Sequence, residues 1–275
     1  MVSDAHEYTD AVVVGCGIAG GLLAGRLARD GHKAVVLEKR PEVGVPIRCG
    51  EAAGSREEVS AFIPIDENWI VAEINAAKMF APNSTCVEKR MPGVGLMIER
   101  DKFDKALAGQ ASDWGADIRT DQEAVGLDFD GDRVCGVHVK ENSTGRQYTL
   151  KSRITIGADG IESFVGRWAG LTKHLRPKDI HSGIEYLLEG DGFPVDTIEL
   201  YVGKEIAPGG YVWVFPKGQR LANVGVGIHP SMAEGLTARD YLDRFVKKHF
   251  PGATVKKTVA GGISGTRPLK TMVGD

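Results

Sequence analysis

The feature that most constrains this chain is AVVVGCGIAGGLLAGRLARDGHKAVVLEKR, close to the N-terminus. A short apolar run from Ala11 to Val14, a glycine turn, an Ala/Leu-rich stretch ending near Gly31 and a second apolar run from Ala34 to Leu37 predict a βαβ unit. Two strands joined in this way lie parallel in one sheet. Gly15, Gly17 and Gly20 fall at the turn between strand and helix, where a side chain would hold a pyrophosphate away from the helix N-terminus. Glu38 closes the second strand, where a carboxylate accepts hydrogen bonds from ribose hydroxyls. An acid there disfavours NADP, whose 2′-phosphate would face it. The competing reading is a structural glycine turn with a solvated Glu38.

A later segment, RITIGADGIESFVGRWAG, places Asp159 at the end of an apolar strand and before a helix over 161–169. Its carboxylate and the neighbouring amides suit the ribityl chain and phosphates of a long cofactor, which favours FAD over NAD. An Asp-Gly turn that only caps a helix has the same pattern.

Composition bounds what else the chain can be. Its 275 residues suffice for one large domain or two modest ones, with 42% apolar and 26% charged residues. Lys+Arg 34 against Asp+Glu 37 gives a net charge of −3 and no basic field, which excludes nucleic acid as a partner. The four cysteines, Cys16, Cys49, Cys86 and Cys135, form no CxxC and read as free thiols in a reducing, cytoplasmic compartment. The opening MVSDAHEYTD is polar and acidic, and no run of about 18 apolar residues occurs, so neither a signal peptide nor a spanning helix is expected. Any membrane contact is then peripheral, at the inner face.

Farther along, SREEVSAF predicts a short helix after the long loop 41–54, and ERDKFDKALAGQASDWGAD a helix capped by Asp101. Between Ile180 and Ile228, four strand-like runs separated by Gly/Pro turns predict an antiparallel sheet. A helix from Thr237 to His249 and a strand from Thr254 to Ala260 follow. The expected class is α/β: a Rossmann-like domain from 1–68, 95–175 and 263–275, with an inserted, mainly antiparallel β-sheet domain from 69–94 and 176–262.

Four further features bear on chemistry. Tyr211, Trp213 and Phe215 in PGGYVWVFP recur at period two and project from one strand face, as a core ladder or as the wall of an apolar cavity. Cys49, beside Arg48 and near an expected helix start, is the candidate proton donor, or else a small side chain that fills space. Glu51 is either an alternative acid or a partner for Arg48. Lys217, Arg220, Lys247 and Lys248 are placed to meet anionic head groups, or are solvated surface.

The segments VGVPIRCGEAAG (43–54), MIERDKFDKALA (97–108), GADGIESFVGRWAGL (157–171) and APGGYVWVFPKGQRLANVGVGI (207–228) resemble, in order, flavoproteins of the para-hydroxybenzoate hydroxylase fold. Within that fold the chain looks like the geranylgeranyl reductase family, and in particular its archaeal lipid reductases. The resemblance implies an FAD-binding domain, a substrate domain for isoprenoid lipid, and saturation of prenyl double bonds by hydride from reduced flavin. It also implies an external electron donor: ferredoxin, NAD(P)H or reduced deazaflavin. It puts Ala19 beside Gly15, Gly17 and Gly20 at the pyrophosphate and Glu38 on the adenosine ribose. Cys49, Gly50 and Ala52 would wrap the flavin side, Arg100 would face the cofactor, and the backbone at Ala124 would meet the adenine. Tyr211, Trp213 and Phe215 would line the lipid cavity.

One departure stands out. Family members continue into a GDAAG-type motif, and Gly274 with Asp275 reads as the turn before it. The chain therefore looks C-terminally truncated, and weak FAD binding is expected of it. The alternatives are a flavin monooxygenase of the same fold, or a non-catalytic isoprenoid- or FAD-binding protein.

Overall fold

The computed structural model describes residues 7–173, 175–266 and 271–274. Its strands are β1 (Glu7–Val14), β2 (Ala34–Leu37), β3 (Ala52–Ala53), β4 (Ile70–Phe80), β5 (Cys86–Ile98), β6 (Asp117–Arg119), β7 (Gln122–Asp130), β8 (Arg133–Glu141), β9 (Gln147–Gly157), β10 (Ile180–Glu189), β11 (Thr197–Val202), β12 (Tyr211–Pro216), β13 (Leu221–Ile228) and β14 (Thr254–Ser264). Its α-helices are α1 (Ile18–Arg29), α2 (Arg56–Ser60), α3 (Arg100–Asp113), α4 (Phe164–Trp168) and α5 (Ala238–His249). Two compact units result: Met1–Pro46, Asp101–His174 and Pro268–Asp275 in the first, Ile47–Arg100 and Leu175–Arg267 in the second.

In the first unit the strand order is β6-β2-β1-β9-β8-β7. The β6, β2, β1 and β9 neighbours are parallel, and β9, β8 and β7 continue antiparallel. All of β2 and the last four residues of β1 are buried, which is why both read as unbroken apolar runs rather than alternating ones. Val12, Val14, Val35 and Leu37 pack into a core on one side of the sheet, and Val13, Ala34 and Val36 into another. Gly21 and Gly25, one helical turn apart on α1, face α3: a Cβ at Gly25 would stand 3.1 Å from the Ala111 Cα. The glycine-rich composition of α1 thus lets two helices approach closely.

In the second unit the order is β14-β10-β13-β12-β11-β4-β5-β3. The β4–β11 pairing is parallel and the rest antiparallel, so the sheet is mainly antiparallel. One face, carrying Ile184, Leu188, Val212, Val214, Val224 and Val226, forms a core with Leu242 and Phe245 of α5. The alternation of the strands sends Glu185, Trp213, Phe215, Asn223 and Gly225 to the opposite face.

Several elements differ from expectation. Residues 47–68 and 95–100 belong to the second unit, because β3 pairs with β5 and β5 runs unbroken to Ile98. The strand starting at Thr254 continues to Ser264 along β10. Asp101 sits inside the first turn of α3 rather than capping it, since the helix begins at Arg100. The expected helix over 161–169 breaks at Ser163, whose φ of 46° separates a 3₁₀ turn at Gly160–Glu162 from α4. Thr271–Gly274 forms no strand, while Asp275 and residues 1–6 lie outside the described residues. No described helix is long and apolar enough to cross a membrane.

Candidate active site

In the first unit the glycine turn is built from close backbone contacts. A Cβ at Gly15, whose φ is +100°, would stand 2.4 Å from the Ala158 carbonyl oxygen, and one at Gly20 would stand 1.9 Å from the Gly15 carbonyl oxygen. Neither position tolerates a side chain. A Cβ at Gly17 meets nothing within 4 Å. Gly17 is also the N-cap of α1 and supplies no side chain to its first N–H groups. The open space beside these donors suits a pyrophosphate.

Glu38 lies at this turn. Its Oε2 accepts from the Cys16 N–H at 3.0 Å and its Oε1 from the Arg40 N–H at 3.0 Å. Each oxygen keeps a further lone pair for a ribose hydroxyl. The Gln122 N–H donates to the Glu38 carbonyl, which sets β7, and with it Ala124, alongside. Asp159 also borders the turn, its Cα 3.3 Å from where a Gly15 Cβ would be. Its Oδ2 accepts from the Val165 N–H at 2.8 Å, the capping role that the Asp-Gly pattern allowed. Burial, with the Glu38 and Asp104 charges nearby, pushes the Cys16 thiol up to about 12, so it stays protonated in the turn.

In the second unit the loop through Cys49, Gly50 and Glu51 is fastened by one buried carboxylate. Glu51 Oε2 accepts from Lys217 Nζ at 2.6 Å and from Asn223 Nδ2 at 2.9 Å, and its Oε1 accepts from the Arg100 N–H at 3.0 Å. Glu51 holds a φ of +68°, a conformation that costs a non-glycine residue energy and is sustained by this set of contacts. Of the two readings left open for Glu51, an alternative acid or a partner for Arg48, the structure shows an ion pair, but with Lys217, which follows Phe215 at period two and reaches the same face. Cys49 is not at a helix start: α2 begins at Arg56, after the Ser55 cap, and the Cys49 Sγ accepts from the Glu51 N–H at 3.3 Å. Ala52 lies on β3, opposite Met97.

The same loop meets the aromatic ladder. A Cβ at Gly50 would stand 3.0 Å from the Phe215 ring and 3.3 Å from Glu185 Oε2. Ring centroids are 6.0 Å apart for Tyr211 and Trp213 and 6.3 Å for Trp213 and Phe215, while Val212 and Val214 face the α5 side. The Trp213 Nε1–H donates to Glu185 Oε2 at 2.6 Å. Burial pushes Glu185 up to about 7; the Trp213 bond opposes that shift, and the Glu51 charge adds to it.

Among the named residues, the structure therefore brings together Gly15, Gly17, Gly20, Glu38 and Asp159 in the first unit. In the second it brings together Cys49, Gly50, Trp213 and Phe215, with the Arg100 amide held to Glu51. Ala19, beside Gly20 at the start of α1, is exposed. The sequence reading missed Glu185 and Asn223 and placed Lys217 on the surface, although its side chain is 10% exposed. The usable signals were an acid flanked by Ile184 and Tyr186 inside β10, a lone Asn in β13, and the continuation of the period-two ladder to residue 217. Arg220 pairs with Asp191 at the surface, and Lys247 and Lys248 lie exposed in the last turn of α5.

The FAD binding domain family model matches residues 8–184, and the geranylgeranyl reductase catalytic domain model matches residues 179–265. The chain is 42% identical to the digeranylgeranylglycerophospholipid reductase of Methanosarcina acetivorans, over 94% of this chain and 64% of that protein. It is 40% identical to the reductase of the same name from Methanocella arvoryzae, over 95% of this chain and 67% of that protein. The chain thus spans about two thirds of the length of these relatives. A geranylgeranyl bacteriochlorophyll reductase-like protein of Thermoplasma acidophilum superposes with a TM-score of 0.91 at 34% identity, covering 98% of this chain and 69% of that one.

Proposed function

We propose, since the chain belongs to the geranylgeranyl reductase family of FAD-binding proteins, that it serves an FAD-dependent oxidoreductase that saturates the double bonds of geranylgeranyl chains in isoprenoid ether lipids. The observation that carries this reading is the face of the second unit's sheet on which the Tyr211–Trp213–Phe215 ladder meets the Cys49–Glu51 loop.

Each residue set has a physical task. Gly15, Gly17 and Gly20 let the backbone approach the pyrophosphate, and the first amides of α1 donate to it. Ala19 keeps that approach narrow, Glu38 accepts from the adenosine ribose, the Ala124 backbone meets the adenine, and Asp159 holds the start of α4 against the turn. Gly50 lets its loop close on Phe215 and, with the small Ala52, border a flat ring system, Arg100 supplies positive charge to it, and Cys49 stands in the same loop as the candidate proton donor. Bound and reduced FAD supplies hydride to carbon. The apolar ladder holds a prenyl chain by burial alone, at about 0.8 kcal/mol per CH₂, and keeps water from the reacting carbons.

The electron donor is one of ferredoxin, NAD(P)H or reduced deazaflavin, and contact with the lipid surface is peripheral, at the cytoplasmic face. The test is anaerobic incubation with FAD, dithionite and an unsaturated archaeal-type ether lipid, followed by mass spectrometry. Two hydrogens gained per alkene support the reading. Turnover that requires oxygen and yields a hydroxylated product would replace it with a monooxygenase, and bound lipid without any turnover would replace it with a carrier.

A further inference from the structure

Glu185 is a buried acid that the scheme above does not use. It lies on β10 directly across from Gly225 of β13, and Gly225 lies across from Trp213 of β12. The three form one row on the face opposite α5. A Cβ at Gly225 would stand 2.2 Å from Trp213 Cζ2 and 2.5 Å from Cε2, so the indole lies flat across the glycine and reaches over a full strand. What it reaches is Glu185, which takes its N–H at 2.6 Å. Tyr211 and Phe215 flank the ring, and Gly50 closes over Phe215 and Glu185.

The geometry points to Glu185 as the positioning residue for Trp213: its carboxyl fixes where the indole lies on the apolar face, and gain or loss of its proton changes how tightly. This deepens the proposed function, since it assigns the wall of the prenyl site a proton-dependent setting. An ionised carboxylate makes a charge-assisted, shorter bond to the indole N–H, and a neutral acid makes a weaker one.

The charged and titratable groups around Glu185 are known from each neighbouring element. Cys49, Glu51 and exposed Arg48 come from the 48–51 loop, and Lys217 stands just past β12. Lys257 comes from β14, and His181 lies two pairs along β10 on the same face. On β13 the facing positions, Asn223 and Gly225, carry no titratable group.

The test uses the 275-residue chain without flavin or lipid, so its failure and the failure of the proposed function are separate results. Tryptophan emission is recorded against pH for the wild type and for Trp213→Phe, and the difference isolates Trp213. A one-proton transition near pH 7 in that difference, absent in Glu185→Gln, is the expected result. A flat difference spectrum across the neutral range would overturn the proposal. Persistence of the transition in Glu185→Gln would also overturn it, because Glu51, Cys49 or His181 would then be the titrating group. A second measurement does not depend on Glu185→Gln folding: the carboxyl ¹³C resonance of Glu185 is titrated in wild type and in Trp213→Phe. Loss of the indole N–H, which favours the ionised form, raises the midpoint in Trp213→Phe; an unchanged midpoint overturns the assignment.

Discussion

Glu51 and Lys217 form a 2.6 Å ion pair in which the two side chains are only 7% and 10% exposed, and the same carboxylate takes hydrogen bonds from Asn223 and the Arg100 amide. A buried charge that loses its partner is left uncompensated. Lys217→Met is therefore expected to destabilise the protein by about 3–5 kcal/mol. The double variant Glu51→Leu, Lys217→Met is expected to cost less than the sum of the two single changes. Urea unfolding of the four proteins measures both quantities.

The three turn glycines should separate by mechanism. Gly15→Ala meets the Ala158 carbonyl and an unfavourable φ, and Gly20→Ala meets the Gly15 carbonyl. Each should lower stability by roughly 1–3 kcal/mol or more. Gly17→Ala meets nothing, so its thermal midpoint should stay near that of the wild type while FAD affinity falls. Thermal melts and an FAD titration on the same samples check this; equal affinity for wild type and Gly17→Ala would place the pyrophosphate elsewhere.

Gly225→Ala places a methyl group inside the Trp213 indole and 2.8 Å from the Ile184 carbonyl oxygen. Overpacking of this kind costs about 1–3 kcal/mol. Combining it with Trp213→Ala should recover part of the loss but not all, because the backbone contact remains. Chemical denaturation of the single and double variants reads the recovery.

Thiol reactivity should follow burial. Cys16 is buried and pushed up to about 12, so at pH 8 only about one thiol in ten thousand is ionised. Cys86 is exposed. Maleimide labelling followed by peptide mass mapping should show Cys86 modified first and Cys16 only on unfolding.

Stability should depend on pH through Glu185. Its folded-state value is raised from 4.5 to about 7, so between those values the folded protein binds a proton that the unfolded chain has released. The stabilising contribution is fully present below pH 4.5 and is lost as pH rises to about 7. At about 1.4 kcal/mol per pH unit across that window, the loss is on the order of 3 kcal/mol. Glu185→Gln removes it, so the stability of wild type relative to Glu185→Gln should fall between pH 5 and 7 in denaturant titrations.

The βαβ unit, the capped helices after Ser55 and Thr237, and the one-sided ladder at 211–215 were legible because each is a local pattern of period, glycine and cap. The break at Ser163 was not, since a left-handed serine leaves no compositional mark. Nor was the extent of the second unit, which depends on the two-residue strand β3 pairing with β5.

By itself the sequence determined the nucleotide turn and the aromatic face, because glycine spacing and side-chain alternation are set by residues only a few positions apart. Tertiary structure alone decided which polar groups meet on that face. Glu51 is 166 residues from Lys217 and 172 from Asn223, and Glu185 is 28 from Trp213. Each of these polar side chains is surrounded by apolar neighbours in its own strand or by glycine in its own loop. Their burial is tolerable only because sheet register brings a partner from another strand, and no local pattern encodes that register.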